Sequence, residues 1–160
     1  CLHARGGQHS WDEEKGQFVT HINATHELAD GDALINYTPI ILSHRLLRHI
    51  VDKLVEGLGK KDRFYTRWGF ASESVSSFAY HHDRYWRGPI WAPQVFYMVE
   101  GLRMAGAEKF AREAAQRYID MCMYSGTFAE NFDALNGIGL RDTSYSWGAD
   151  VFQYFVHKYS

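Results

Sequence analysis

The feature that most constrains this chain is an alternation between two kinds of helical segment. Five segments read as helix. The segment 33–42 carries no charge. The next, 43–56, opens on Ser43, a residue type whose hydroxyl caps helix N-termini. It sets Leu46, Leu47, Ile50, Val51, Leu54 and Val55 at helical spacing, with Arg45, Arg48, Asp52, Lys53 and Glu56 on the other face, and Gly57 and Gly59 stop it. Segment 89–105, with Pro89 suited to a first turn, carries Glu100 and Arg103 as its charges. Segment 108–124 is amphipathic: Phe110, Ala114, Tyr118, Ile119 and Cys122 face one way, Lys109, Arg112, Glu113, Arg117 and Asp120 the other. Segment 144–159 holds Trp147, Val151, Phe152, Tyr154 and Phe155, with Asp150 as its acid. A helix apolar all round must be buried on every side, whereas an amphipathic helix keeps one wet face. Strict alternation therefore predicts two concentric layers, inner and outer helices taken in turn: an all-α toroid or a piece of one.

Connection lengths sharpen this. Inner segments pass to their outer partners almost directly, Leu42 to Ser43 and Ala105 to Glu108. The returns are long: 57–88, then 125–143, with a further long stretch before Ala33. Connections beyond about 12–15 residues are uncommon in compact domains unless they serve a function. In an alternating toroid all of them lie at one end, over the N-termini of the inner helices, and build a single site there.

Those stretches are aromatic and acidic. The first offers Trp11, Asp12, Glu13, Glu14, Phe18, His21 and His26; the second ends in YHHDRYWRGPIW at 80–91; the third offers Phe128, Glu130, Asn131, Phe132, Asp133 and Asp142. There is no Gly-rich phosphate loop, no G-x-S-x-G elbow and no H-E-x-x-H pair. Flat rings stack on the C–H faces of sugars, carboxylates bind hydroxyls, and cleaving a glycosidic bond needs two carboxyl groups. A net charge of −2 over 160 residues leaves no basic footprint for nucleic acid. The longest uncharged run, 88–99, is too short to cross a bilayer. With Cys1 and Cys122 as the cysteines there is no disulfide framework, and Cys122 reads as a small buried apolar residue. Sequons at 23–25 and 36–38 say little about secretion. Without a signal-peptide pattern the cytoplasm is favoured as the compartment.

YWRGPIWAP at 85–93 resembles the Tyr-Trp-Arg-Gly-Pro-x-Trp motif of glycoside hydrolase family 63 and its bacterial relatives, which include mannosylglycerate and glucosylglycerate hydrolases and processing α-glucosidases. SGTFAENFDALNGIG, followed by SYSWGADVF, resembles the block that carries their catalytic Glu, and WDEEKGQF at 11–18 resembles a further stretch. The resemblance implies an (α/α)6 barrel and hydrolysis with inversion, without a cofactor or a metal. It implies Glu130 as general base, with Tyr85, Trp86, Gly88, Trp91 and Trp11 at sugar-contact positions and Arg87 in support. The family's general acid, an Asp, belongs to the first half of the barrel. Five helices are too few for six hairpins, so residues 1–160 are expected to be the C-terminal part of one catalytic domain. The N-terminal half, or a second polypeptide, is then its partner alongside a carbohydrate substrate.

Other readings stay open at this point. Trp86 and Trp91 can be core residues closing the barrel end, Arg87 can pair with a structural acid such as Asp83, and Asp12 can simply form a turn. His81-His82-Asp83 invites a metal, but adjacent side chains diverge. For function, an inverting hydrolase of a small α-glucoside or α-mannoside stands against a non-catalytic sugar-binding toroid, and, among enzymes, against a trehalase-like hydrolase.

Overall fold

The computed structural model describes residues 10–22, 27–29 and 31–159. Cys1, the sequon at 23–25 and His26 lie outside the described residues. Helices dominate: a 3₁₀ segment, Leu34–Arg45, then α1 (Arg48–Gly59), α2 (Ala92–Met104), α3 (Glu108–Ser125) and α4 (Ser146–Tyr159). The long stretches are not bare loops. They carry four two-stranded antiparallel hairpins: β1 (Trp11–Asp12) with β2 (Gln17–Phe18), β3 (His21–Ile22) with β4 (Glu27–Leu28), β5 (Tyr65–Thr66) with β6 (Gly69–Phe70), and β7 (Asn131–Phe132) with β8 (Gly139–Leu140). The fold is mainly helical, as the all-α class expects, with short hairpins in its connections. Strands of two residues leave no alternating pattern in a sequence.

Three boundaries also differ, each for a local reason. The segment 33–42 is not an α-helix, because Pro39 sits inside it, lacks an N–H and disfavours the α conformation of Thr38. The chain takes tight 3₁₀ turns instead and breaks at Leu42. Ser43 is not an N-cap. It is buried, and its carbonyl accepts the Leu46 N–H at 3.2 Å, so α1 begins only after Leu47. Nor does Pro89 start a helix: Pro93 occupies the first turn of α2, and Ile90 is extended, exchanging both backbone hydrogen bonds with Phe132 at 2.7 and 3.0 Å. The end of α3 follows the expected rule, with Gly126 at φ +68° sending its N–H to the Cys122 carbonyl at 2.9 Å.

Helix α2 is the hub. It packs against the 3₁₀ segment, α3 and α4, while α1 lies on the 3₁₀ segment. A Cβ on Gly101 would stand 2.3 Å from Ile40 Cγ2, so α2 approaches the 3₁₀ segment as closely as glycine permits. Leu34, Tyr37 and Ile40 meet Val95, Val99 and Leu102 in this core, and Ala111, Ala114 and Tyr118 add the inner face of α3. Each large aliphatic or aromatic side chain so buried contributes about 1.5–3 kcal/mol. The charged face of α3 points to solvent as its pattern requires. The apolar segments keep one uncovered face each: Ile35 and Leu42, Tyr97 and Met104, and Tyr154 are exposed.

A buried acid ties α2 to α4. Glu100 accepts from Lys158 Nζ at 2.7 Å, Arg103 Nε at 3.1 Å and Tyr159 Oη at 3.5 Å. Burial alone raises its carboxyl pKa, but the hydrogen bonds from Lys158 and Arg103 outweigh it and hold the group below the ordinary carboxylate value. Cys122 is buried as expected, and burial pushes its thiol up to about 12. Among the described residues no helix is long and apolar enough to cross a membrane.

Candidate active site

The residues that lead into the helical core are tied to one another. Ala33, before the 3₁₀ segment, bridges Glu73; Ile90, before α2, bridges both Ala71 and Phe132; Ser144, before α4, bridges Phe128. The starts of the three apolar elements are thus joined through the long connections.

The first component is the turn 81–88. Gly88 makes it possible: a Cβ there would lie 2.0 Å from the His81 carbonyl oxygen. Its N–H is taken by Ser72 Oγ at 3.0 Å, and His81 N–H donates to the Arg87 carbonyl at 2.7 Å. Gly88 is buried, and its missing side chain lets the backbone pack closely here. The turn lifts Tyr85 into a left-handed conformation, φ +43°, which costs a non-glycine residue about 1–3 kcal/mol and clusters at functional sites. Trp86 stacks on Trp91 with centroids 3.9 Å apart and planes 14° apart; Tyr85 meets Trp91 edge-on at 4.7 Å. Trp91 is completely buried, and its indole N–H donates to the Tyr85 carbonyl at 2.9 Å. Trp91 is therefore a pedestal, and Trp86, 43% exposed, presents the open ring face.

Arg87 does not pair with Asp83. It reaches Glu73 at 3.3 Å, a fully buried carboxylate that also accepts from Ser77 Oγ and the Asp32 N–H, both at 2.6 Å. This ion pair holds the base of the turn to the 3₁₀ side of the fold. A buried carboxylate needs such partners, since an uncompensated charge there is very costly. Glu73 escaped the sequence reading; its signal is a single acid in the otherwise uncharged run 68–79.

The second component is the hairpin of β7 and β8. Its register pairs Asn131 with Leu140 and Phe132 with Gly139. Asp133 turns it by accepting from the Leu135 and Asn136 N–H groups at 2.8 and 3.3 Å, and Gly137 packs onto Trp68. Glu130 stands at the mouth of this hairpin, half-buried, its N–H donated to the Asp142 carbonyl at 2.7 Å. Tyr85 of the turn feels the Glu130 carboxylate electrostatically. Partial desolvation, then the negative charge of Glu130, raise the Tyr85 pKa, so the phenol stays protonated at neutral pH. Tyr145 lies close to the same phenol, and Trp147 extends the aromatic wall from Trp91 at 5.8 Å. Neither Tyr145 nor Arg141, which holds the hairpin to the turn, was singled out from sequence.

One expected member falls elsewhere. Trp11 packs edge-on against Phe18 at 5.1 Å and donates to Glu13, which Lys53 of α1 binds at 2.7 Å; these contacts place it on the α1 side, not with Glu130. Asp12 forms a turn, accepting the Lys15 N–H at 2.9 Å. His81 and His82 stack on each other, and His82 Nδ1 lies 3.3 Å from Asp133. No three His, Cys, Asp or Glu side chains converge as metal ligands among the described residues. A shallow pocket of about 260 Å³ lined by Cys122, Met123, Gly126, Thr127, Phe128 and Phe152 sits beyond α3 and holds no carboxylate. The turn and the hairpin instead hold a half-buried carboxylate, Glu130, a phenol, Tyr85, and an exposed indole, Trp86.

Comparison with known proteins bears on that arrangement. The pattern of the mannosylglycerate hydrolase MGH1-like glycoside hydrolase domain matches residues 2–148. A mannosylglycerate hydrolase of Rubrobacter radiotolerans is 35% identical over 96 residues, which is 60% of this chain and 20% of that protein. Another, from Thermus thermophilus, is 27% identical over 143 residues, 87% of this chain and 33% of that protein. The crystal structure of a family 63 mannosylglycerate hydrolase, also from Thermus thermophilus and in complex with glucose, matches with a TM-score of 0.81 at 22% identity, covering 94% of this chain and 35% of that one. That likeness is one of fold. The chain spans between about a fifth and a third of the length of these curated relatives.

Proposed function

This chain belongs to the mannosylglycerate hydrolase MGH1-like glycoside hydrolase family, and on that premise we propose that it is the C-terminal part of an (α/α)6 barrel that hydrolyses a small α-mannoside or α-glucoside with inversion. Mannosylglycerate, named for the relatives, is the first substrate to test. The rest of the barrel is the partner of this chain, and its contact surface includes the exposed apolar faces of the 3₁₀ segment and α2.

One observation carries the reading: Glu130 stands half-buried at the mouth of a hairpin that Arg141 ties to the turn carrying Tyr85 and the exposed ring of Trp86. In the proposed mechanism the sugar ring lies on Trp86. Tyr85 fixes one carboxylate oxygen of Glu130, leaving the other to take a proton from water. That water attacks the anomeric carbon from the face opposite the leaving group. An Asp of the remaining barrel protonates the leaving oxygen, about 6.5–9.5 Å from Glu130 so that the water fits between them. Neither step calls for a cofactor.

The test is Glu130→Gln in the enzyme assembled from this chain and the rest of its barrel. The amide keeps the shape and removes the base, so turnover of mannosylglycerate falls by on the order of 10²–10⁴ while its affinity changes little. Binding without turnover in the unmodified protein, unaffected by the substitution, would instead establish a sugar-binding toroid with no catalytic role. Preferential turnover of trehalose would move the substrate assignment.

A further inference from the structure

The register of the β7–β8 hairpin places Arg141 opposite Glu130, one step beyond the Asn131–Leu140 pair. A base must not be locked into an ion pair, yet the nearest cation on its own hairpin lies directly across from it. The fold engages that cation elsewhere. Arg141 Nη1 lies 2.8 Å from Asp83 Oδ1 and donates to Asn131 Oδ1 at 3.0 Å, while Nη2 donates to the Asp83 carbonyl at 3.1 Å. The guanidinium carbon lies 5.4 Å from the Tyr85 ring centroid. Arg141 itself adopts φ +63°, a left-handed conformation unfavourable to an arginine, so the chain bends sharply where the side chain must turn back.

These contacts join both halves of the Tyr85–Glu130 pair. Asp83 and Tyr85 belong to the turn that carries the phenol. Asn131 is the residue after the carboxylate, fully buried, with its Nδ2 unpartnered among the described residues. The orientation of its carboxamide therefore rests on Arg141. The planar fork suits this task, since it addresses several acceptors in fixed directions, which an ammonium does not.

Resting on the reading of Glu130 as the base, we propose that Arg141 is a positioning residue for the reaction. It clamps the turn of Tyr85 to the hairpin of Glu130 and fixes the distance between phenol and carboxylate, while Asp83 keeps its charge off the base. Trp86 does not depend on this clamp, because it rests on the buried Trp91. Loss of Arg141 therefore acts on kcat and spares KM.

The experiment compares wild type, Arg141→Ala, Arg141→Lys and Glu130→Gln in the assembled enzyme with mannosylglycerate. Arg141→Ala loses kcat by on the order of 10²-fold, the scale for misplacing a catalytic group by about 1 Å, with KM changed less than about threefold. Arg141→Lys keeps the charge without the fork and falls between. Guanidinium ion at millimolar concentration restores part of the kcat of Arg141→Ala and leaves Arg141→Lys unchanged. Wild-type kcat in Arg141→Ala overturns the proposal. So does a loss that parallels the loss of folded protein by near-UV circular dichroism and is not rescued by guanidinium. If Glu130→Gln is inactive while Arg141→Ala is normal, the clamp alone is wrong; an active Glu130→Gln removes the reading beneath it.

Discussion

Substituting Gly88 by alanine tests the turn on which the site is built. A Cβ at this position meets the His81 carbonyl oxygen at 2.0 Å, and the obstacle is backbone. A carbon–oxygen contact needs about 3.3 Å, so the carbonyl has to retreat by about 1.3 Å. Two hydrogen bonds depend on its strand of the turn: His81 N–H to the Arg87 carbonyl at 2.7 Å, and Arg84 N–H to the His81 carbonyl at 3.2 Å. Losing both costs about 2 kcal/mol, and the overpacking adds about 1–3 kcal/mol. Alanine stabilises by roughly 0.4–1 kcal/mol through the unfolded chain, which offsets part of this. The net expectation is a loss of about 2–5 kcal/mol in chemical denaturation. Because the displaced turn carries Tyr85 and Trp86, kcat/KM for mannosylglycerate falls by on the order of 10²-fold or more. A Gly88→Ala protein with wild-type denaturation midpoint and kinetics would refute the argument that this glycine sets the turn.

Three further outcomes follow from the geometry. Trp86→Ala weakens sugar binding roughly tenfold by calorimetry while lowering the melting temperature by only a few degrees, since the ring is half exposed but caps Trp91; unchanged affinity with a large drop in melting temperature makes it a packing residue. Glu100 has a depressed folded-state pKa, so its contribution is complete above its unfolded value of about 4.3 and is lost as pH falls through the folded value. The stability gap between wild type and Glu100→Gln is therefore constant near neutrality and closes below about pH 4.5, and a gap that does not change with acid contradicts the network drawn around it. The isolated 160-residue chain binds a hydrophobic dye or self-associates through Ile35, Leu42, Leu47, Tyr97 and Met104, all exposed, and a monodisperse monomer without dye binding speaks against a missing half-barrel.

What the sequence shows of this fold follows from which forces leave a periodic trace. The stripes of α1 and α3 were legible because one face of each is wet. The burial of most of α2 was legible because charges are excluded from most of its surface. The 3₁₀ segment was misread as a helix because its apolar content hid what Pro39 does to the backbone. Ser43 and Pro89 were assigned helix-start roles on residue type alone; tertiary pairing of Ile90 with Phe132 moved the start of α2, and burial of Ser43 removed the cap. Glu130, Tyr85 and Trp86 came from motif chemistry and lie on a hairpin and a turn that are linked to each other, while Trp91 and Gly88 of the same motif are buried. Glu73 and Arg141 were missed because their partners, Arg87 and Asp83, lie 14 and 58 residues away in sequence, and no spacing rule reports such pairs. Trp11 shares a residue type with the site but not its location.

If this chain supplies the base, the configuration of the first product reveals it. Proton NMR followed from the first turnover of α-mannosylglycerate, in the assembled enzyme and its Glu130→Gln variant, reads the anomeric signal before mutarotation. β-Mannose is expected first in the wild type, as the inverted product of water activated by Glu130, with no resolvable product from Glu130→Gln over the same interval. An α-anomer appearing first makes the second carboxylate a nucleophile, and near-normal β product from the variant takes Glu130 out of the reaction; either result rules out Glu130 as the base of an inverting hydrolysis.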